Sequence, residues 1–263
     1  DGTCTAKITN NLSNRNLIIN GACAVAQRST VPVTDDQYRT VDRFSLGYGG
    51  IDEHPTQARH ALTSSDTGPW AEGFRYSFHV TNGNQTSGAG SSDFMEIYQY
   101  IEDQNISQSG WNYASSSSKL TISFWVKSSV AQKFYGFLYT NQAGAGDSKM
   151  YSFTIDNGSG GNLAANTWTK ITHTIDGDSS LTFNNDNTNG LAVGIFPFNG
   201  TNYTTSDQNL NTWAGWNSAS KVPDMTSTWW TTNDATFEIT GIQLEVGSVA
   251  TDFEHRSYGD ELA

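Results

Sequence analysis

The chain has 263 residues, enough for one large β domain, since single sandwiches and barrels often run to about 200–250 residues. Charged residues make up only 15% of it, and 26 acidic against 14 basic side chains leave a net charge of −12, so a grip on nucleic acid phosphates through clustered Lys and Arg is not expected. No apolar run approaches the roughly 20 residues needed to cross a bilayer as a helix, so membrane insertion is not expected.

Residues 1–15 are polar and weakly patterned, as suits a connecting segment, and the start at Asp1 without Met marks a processed product or a piece of a longer protein. Cys4 and Cys23 are placed to close a small N-terminal loop, though two thiols alone do not define an oxidising compartment. From Leu17 onward the dominant period is two. Strands are expected at Leu17–Arg28, Arg39–Leu46, Phe74–Thr81 and Phe94–Glu102. The clearest follows: Leu120, Ile122, Phe124 and Val126 alternate with Thr121, Ser123, Trp125 and Lys127, the mark of a half-buried strand. Further strands are expected at Lys133–Tyr139, Lys149–Ile155, Thr167–Ile175, Leu191–Phe198, Thr236–Val246 and Phe253–Tyr258. In Thr236–Val246 the apolar phase runs through Phe237 and Ile239, then slips to Ile242, Leu244 and Val246, which predicts a β-bulge at Gly241.

Asn82-Gly83-Asn84, Asp156-Asn157-Gly158 and Asn199-Gly200 punctuate these strands as turns, because Gly and Asn accept positive φ cheaply. Helices should be short, with candidates at Thr5–Leu12 and Pro55–Leu62. Strands separated by turns without intervening helices predict an all-β fold, an antiparallel two-sheet β-sandwich of jelly-roll type, with residues 16–263 as one domain.

Catalytic signatures are missing from the pattern. His54, His60, His79, His173 and His255 show no HExxH-like spacing, and there is no GxSxG elbow or phosphate-cradling glycine loop, so no enzyme activity is expected. Asp93 with Glu96, or Glu238 with Glu245, would be the carboxylate pairs for hydrolysis. Their place in regular alternation reads instead as solvent-face or edge charge. No cofactor is expected, although the oxygen-rich loops Asp176-Gly177-Asp178 and Asn184–Asn189 are candidates for a structural calcium.

Aromatic rings in polar, loop-like surroundings are the prominent remaining feature: Trp111 and Tyr113; Tyr203, Trp213 and Trp216; and Trp229-Trp230. A flat ring covers the apolar face of a pyranose while neighbouring amides and carboxylates take its hydroxyls, so Tyr203, Trp213, Trp216, Trp229 and Trp230 are the candidate glycan- or partner-binding residues. The competing reading packs these rings on the rims of the sandwich or in a subunit interface. On an extended backbone, Trp229 and Trp230 would point to opposite faces, so at most one could enter the core.

Four segments, NLIINGACAVAQRS at Asn16–Ser29, YRTVDRF at Tyr38–Phe44, LTISFWVKSS at Leu120–Ser129 and ITGIQLEVGSVATDFEHRSYGDEL at Ile239–Leu262, together resemble a family of virion structural proteins of marine and cyanobacterial phages that form outer parts of fibres. The resemblance implies a jelly roll similar to galactose-binding and carbohydrate-binding modules, with the Asn16–Arg28 and Ile242–Glu254 segments as neighbouring structural signatures. It implies a homotrimer exposed on the phage particle, with other virion proteins as partners and a host surface glycan as ligand. A capsid decoration or cement protein, and the accessory module of a polysaccharide-degrading enzyme, are the other roles of this kind. The family motif carries no catalytic residue.

Overall fold

A computed structural model describes residues 15–141 and 148–262. Eleven strands are present in the described residues: β1 (Ser45–Gly49), β2 (Thr56–Ala61), β3 (Tyr76–Thr81), β4 (Phe94–Glu102), β5 (Lys119–Ser128), β6 (Phe134–Thr140), β7 (Lys149–Ile155), β8 (Thr169–Asp176), β9 (Asn189–Asn199), β10 (Trp213–Gly215) and β11 (Thr236–Val246). Three short helices accompany them, α1 (Asp103–Ser107), α2 (Thr228–Thr231) and α3 (Tyr258–Leu262). The strands form two antiparallel sheets, six-stranded in the order β1-β4-β9-β6-β7-β10 and five-stranded in the order β2-β3-β11-β5-β8. This is the expected all-β two-sheet sandwich.

The core lies between the sheets. Met95, Ile97 and Ile101 of β4 and Phe134 and Leu138 of β6 meet Phe78 and Val80 of β3, Leu120, Ile122, Phe124 and Val126 of β5, and Phe237 and Ile239 of β11. Each strand thus contributes every second side chain, as a pleat with one face buried requires. The β5 alternation places Thr121, Ser123, Trp125 and Lys127 on the other face. In β11 the register against β5 shifts between Thr240 and Gln243, and Gly241 takes φ +64°, so the expected bulge is where the apolar phase slips. Past the bulge, Ile242 and Leu244 turn back into the core.

Four local expectations fail for identifiable reasons. The strand expected at Arg39–Leu46 starts only at Ser45, because Arg43 takes φ 72° in the turn before it, and runs on to Gly49. Leu17–Arg28 is not a strand, because Asn20 and Cys23 adopt φ of 58° and 55°, left-handed values that end an extended run. The segment is nonetheless buried at Ile18, Cys23 and Val25 and is stitched to β11: Leu17 N donates to Leu244 O at 2.8 Å, and Asn16 Nδ2 donates to Ile242 O at 3.1 Å. The helix expected at Pro55–Leu62 is strand β2, whose Gln57 and Ala58 face buried surroundings while its ladder to β3 runs unbroken from Thr56 to Ala61. Phe253–Tyr258 is not a strand either; His255 Nε2 meets Glu72 O at 2.8 Å and its ring packs on Phe74 and Phe253. The candidate helix at Thr5–Leu12 and residue Cys4 lie outside the described residues. Cys23 is fully buried with Sγ 3.7 Å from Ile239 O, and burial pushes its thiol pKa up to about 12.

Candidate functional site

The strands of the six-stranded sheet carry aromatic residues on the face turned away from the core. In β4 the inward phase is Met95, Ile97, Gln99 and Ile101, and the outward phase is Phe94, Glu96, Tyr98 and Tyr100. In β6 the outward phase is Tyr135, Phe137 and Tyr139. Between these two strands runs β9, and its outward residues opposite them are small: Tyr98 and Phe137 both register with Gly194, and Tyr100 and Tyr139 both register with Ala192. With neighbouring strands about 4.8 Å apart, the β4 and β6 backbones that carry these rings stand roughly 10 Å from one another across residues with almost no side chain of their own. The sheet therefore carries a trough.

Gly194 is required there. A Cβ at this position would lie 1.8 Å from the Phe137 ring, which leans over the glycine and stacks on Phe196 at 4.7 Å and 9°. Tyr135, Phe137, Met150, Ala192, Phe196 and Val222 form a second apolar cluster on this outer face, covered by the segment that contributes Val222 and separate from the inter-sheet core. Pro197 sits where β9 places two residues opposite Glu96, between the Met95–Phe198 and Ile97–Ile195 pairs, a bulge where its missing N–H does not break the ladder.

Beyond β10 the chain returns over this face. Trp216 is 36% exposed and packs on Tyr139 with ring centroids 4.4 Å apart. Lys221 Nζ reaches Glu96 Oε1 at 2.5 Å and lies 5.0 Å from the Tyr203 ring and 5.8 Å from the Trp216 ring. Together Asp36, Tyr48, Phe94, Glu96, Tyr98 and Tyr100 on one side and Phe137, Tyr139, Trp216 and Lys221 on the other enclose an open groove of about 370 Å³. That is the size of a small-ligand site. Burial, with Tyr98 close by, pushes the Tyr100 phenol up to about 12, so it stays a neutral donor and acceptor of hydrogen bonds.

The five residues proposed from sequence separate into three groups. Trp216 lines the groove, and Tyr203 stands at its edge, packed against Phe94 at 5.6 Å. Trp213 is half-buried in β10; it packs on Tyr151 at 5.4 Å and donates Nε1–H to Asp176 O at 2.7 Å. Trp229 and Trp230 are both fully buried and present no surface to a ligand. The expectation that at most one could be internal assumed an extended backbone, whereas both lie in α2, where consecutive side chains are about 100° apart and can turn to the same side. Trp230 stacks on Phe198 at 4.9 Å, and the two indoles donate to Gly88 O and Thr236 O. Trp111 is likewise buried, in a cluster with Tyr113 and Phe183.

The carboxylates also differ from the sequence reading. Asp93, Glu238 and Glu245 are buried rather than solvent-facing, because each has donors waiting: Gly90 N for Asp93, Thr251 N and Oγ1 for Glu245, and Ser77, His60 and Lys127 for Glu238. Of the two loops rich in oxygen, Asp176 pairs with Lys119, and Asp178 and Asp186 accept from Ser180 and Thr188 within their own turns.

No protein-family model matches this chain, and neither does any curated protein. Among solved structures, the chain is similar to a protein of Bacteroides thetaiotaomicron described provisionally as sugar-binding, at 13% identity and a TM-score of 0.43, covering 88% of this chain and 100% of that one. It is similar to the family 11 carbohydrate-binding module of Clostridium thermocellum in complex with a β-1,3-1,4-mixed-linked tetrasaccharide, at 12% identity and a TM-score of 0.36, covering 85% and 99%. A third is the N-terminal cellulose-binding domain of β-1,4-glucanase C from Cellulomonas fimi, at 9% identity and a TM-score of 0.33, covering 86% and 99%.

Proposed function

We propose that this chain is a non-catalytic glycan-binding module whose ligand lies in the groove on the outer face of the six-stranded sheet. The observation that carries the reading is the pair of cross-strand rows, Tyr98–Gly194–Phe137 and Tyr100–Ala192–Tyr139, the second extended by Trp216. Rings flanking a nearly side-chain-free floor suit sugar units, whose C–H faces pack on aromatic carbon while phenol, carboxylate and ammonium groups take the hydroxyls. Glu96 and Lys221 neutralise each other at 2.5 Å, so the groove offers hydrogen bonds with Asp36 as its one further lining charge. Glu96 is held by that ammonium as an acceptor, which supports binding rather than bond cleavage.

The role consistent with the four resembling segments is a module on an exposed virion fibre that contacts host surface glycans, with three copies supplying avidity to individually weak sites. The test is affinity electrophoresis and calorimetry of the full chain against neutral and bacterial surface polysaccharides. Trp216→Ala and Tyr139→Ala should each weaken binding at least about tenfold, the scale of losing one stacked ring worth ~1–3 kcal/mol, with thermal stability nearly unchanged for Trp216→Ala. Binding that survives both substitutions, or release of reducing ends from the polysaccharide, would overturn the reading.

A further inference from the structure

On the opposite side of the molecule, the outer face of the five-stranded sheet carries a second constellation unrelated to the groove. Four strands place Ala58, His79, Glu238 and Lys127 in one cross-strand row, with Glu238 opposite both His79 and Lys127. His60 sits one strand further along, opposite Ser77. Among the described residues, His60, His79 and Glu238 form a group of three whose ligand atoms all lie within 4.8 Å of one another. His60 Nδ1 is 3.0 Å from Glu238 Oε2, and His79 Nδ1 is 3.4 Å from Glu238 Oε1. A tetrahedral ion with bonds near 2.0–2.1 Å needs ligand atoms roughly 3.4 Å apart, so a group spread within 4.8 Å has to close in around the ion by rotation of the two imidazole side chains.

Two details distinguish this group from an ordinary ion pair. First, His79 Nε2 lies 3.0 Å from Thr81 Oγ1, and a proton held on Nε2 by that contact leaves Nδ1 with a lone pair. That Nδ1 is buried and makes no hydrogen bond, although a carboxylate faces it. In that tautomer a cation between Nδ1 and the carboxylate relieves their repulsion, whereas without one a proton on Nδ1 pairs the ring with Glu238 and Thr81 Oγ1 donates to Nε2. Second, the carboxylate is already oriented: Ser77 Oγ donates to Oε2 at 2.7 Å, and Lys127 Nζ, itself paired with Asp66 at 3.2 Å, reaches Oε1 at 2.9 Å. The half-exposed His60 ring leaves one side of the group open to solvent.

We propose that His60, His79 and Glu238 form a binding site for a divalent ion of the zinc class, with Thr81 and Ser77 orienting two of the ligands and the remaining coordination position open to water. Two imidazole nitrogens and one carboxylate select a borderline ion over calcium or magnesium, which prefer oxygen cages. The experiment is zinc titration of the metal-stripped full chain, read by calorimetry and by melting temperature, together with the visible absorption of added cobalt(II). About one equivalent should bind, the melting temperature should rise with zinc concentration, and calcium should not compete. His60→Ala and His79→Ala should each weaken binding at least about tenfold, and Thr81→Val about 10–100-fold through loss of ligand orientation. His60 is half exposed, so its variant retains the fold even where substitution at the more enclosed His79 does not. No saturable zinc binding, binding unchanged in His60→Ala, or equal competition by calcium would each overturn the proposal. Glycan affinity of the metal-free protein is expected to match that of the zinc-loaded protein, which separates this site from the groove.

Discussion

At the scale of single residues, the groove depends as much on what is absent as on its rings. Ala192 keeps the floor low between Tyr100 and Tyr139, and at Gly194 the space a methyl group would need is taken by the Phe137 ring leaning across from β6. Gly194→Ala should therefore push Phe137 off Phe196, cost about 1–3 kcal/mol in denaturant unfolding as overpacking does, and weaken glycan binding with it. An unchanged midpoint and affinity would show that the ring has room to move. Much of this site was present in the sequence but written in a form that single-residue reading passes over. In FMEIYQYIE both phases carry large apolar side chains, and the kind of side chain separates them: Met95, Ile97 and Ile101 are aliphatic, while Phe94, Tyr98 and Tyr100 are aromatic and alternate with Glu96 and Glu102. The aliphatic phase packs a core, and tyrosines in the other phase face water. Tryptophans in loops drew the eye instead, and of those only Trp216 reached the groove.

At the scale of elements, regular strands were legible and short connecting structures were not. Phe94–Glu102, Lys149–Ile155 and Thr236–Val246 have the expected bounds because side-chain alternation and ladder end together there. Strand β10, three residues long, is too short to show a period, and α2 is a single turn whose formation owes more to burial than to propensity. That turn has an energetic role. Trp229 and Trp230 are among the largest fully buried side chains, and each indole N–H finds a backbone carbonyl. Trp229→Ala or Trp230→Ala should cost about 3–5 kcal/mol each, measured by chemical denaturation, because both the cavity and an orphaned carbonyl are left behind. A loss below about 1 kcal/mol would mean that α2 is not a fixed part of the sandwich.

At the scale of the whole molecule, charge and site are decoupled. The chain carries a net −12, yet the groove balances Glu96 against Lys221 and presents mainly phenols. Neutral polysaccharides should therefore bind with affinities that change less than about twofold between low and high salt, whereas anionic ones should bind more weakly at low salt, where the Debye length reaches about 30 Å at 0.01 M. Calorimetry across an ionic-strength series checks this; a steep salt dependence for a neutral polymer would show that the net field reaches the groove. The sandwich itself was readable from spacing alone, but the placement of the aromatic groove and the His60–His79–Glu238 cluster on opposite outer faces was not, because it depends on which strands neighbour one another across long intervals of sequence.

Asn16 and Glu254 meet at one edge of the sandwich, where Asn16 N donates to Glu254 at 2.8 Å and the Arg256 guanidinium closes over both. Because Asn16 Nδ2 also donates to Ile242 O and Leu17 N to Leu244 O, this seam fastens the opening segment to the middle strand of the five-stranded sheet, and unzipping it would loosen β11 with it.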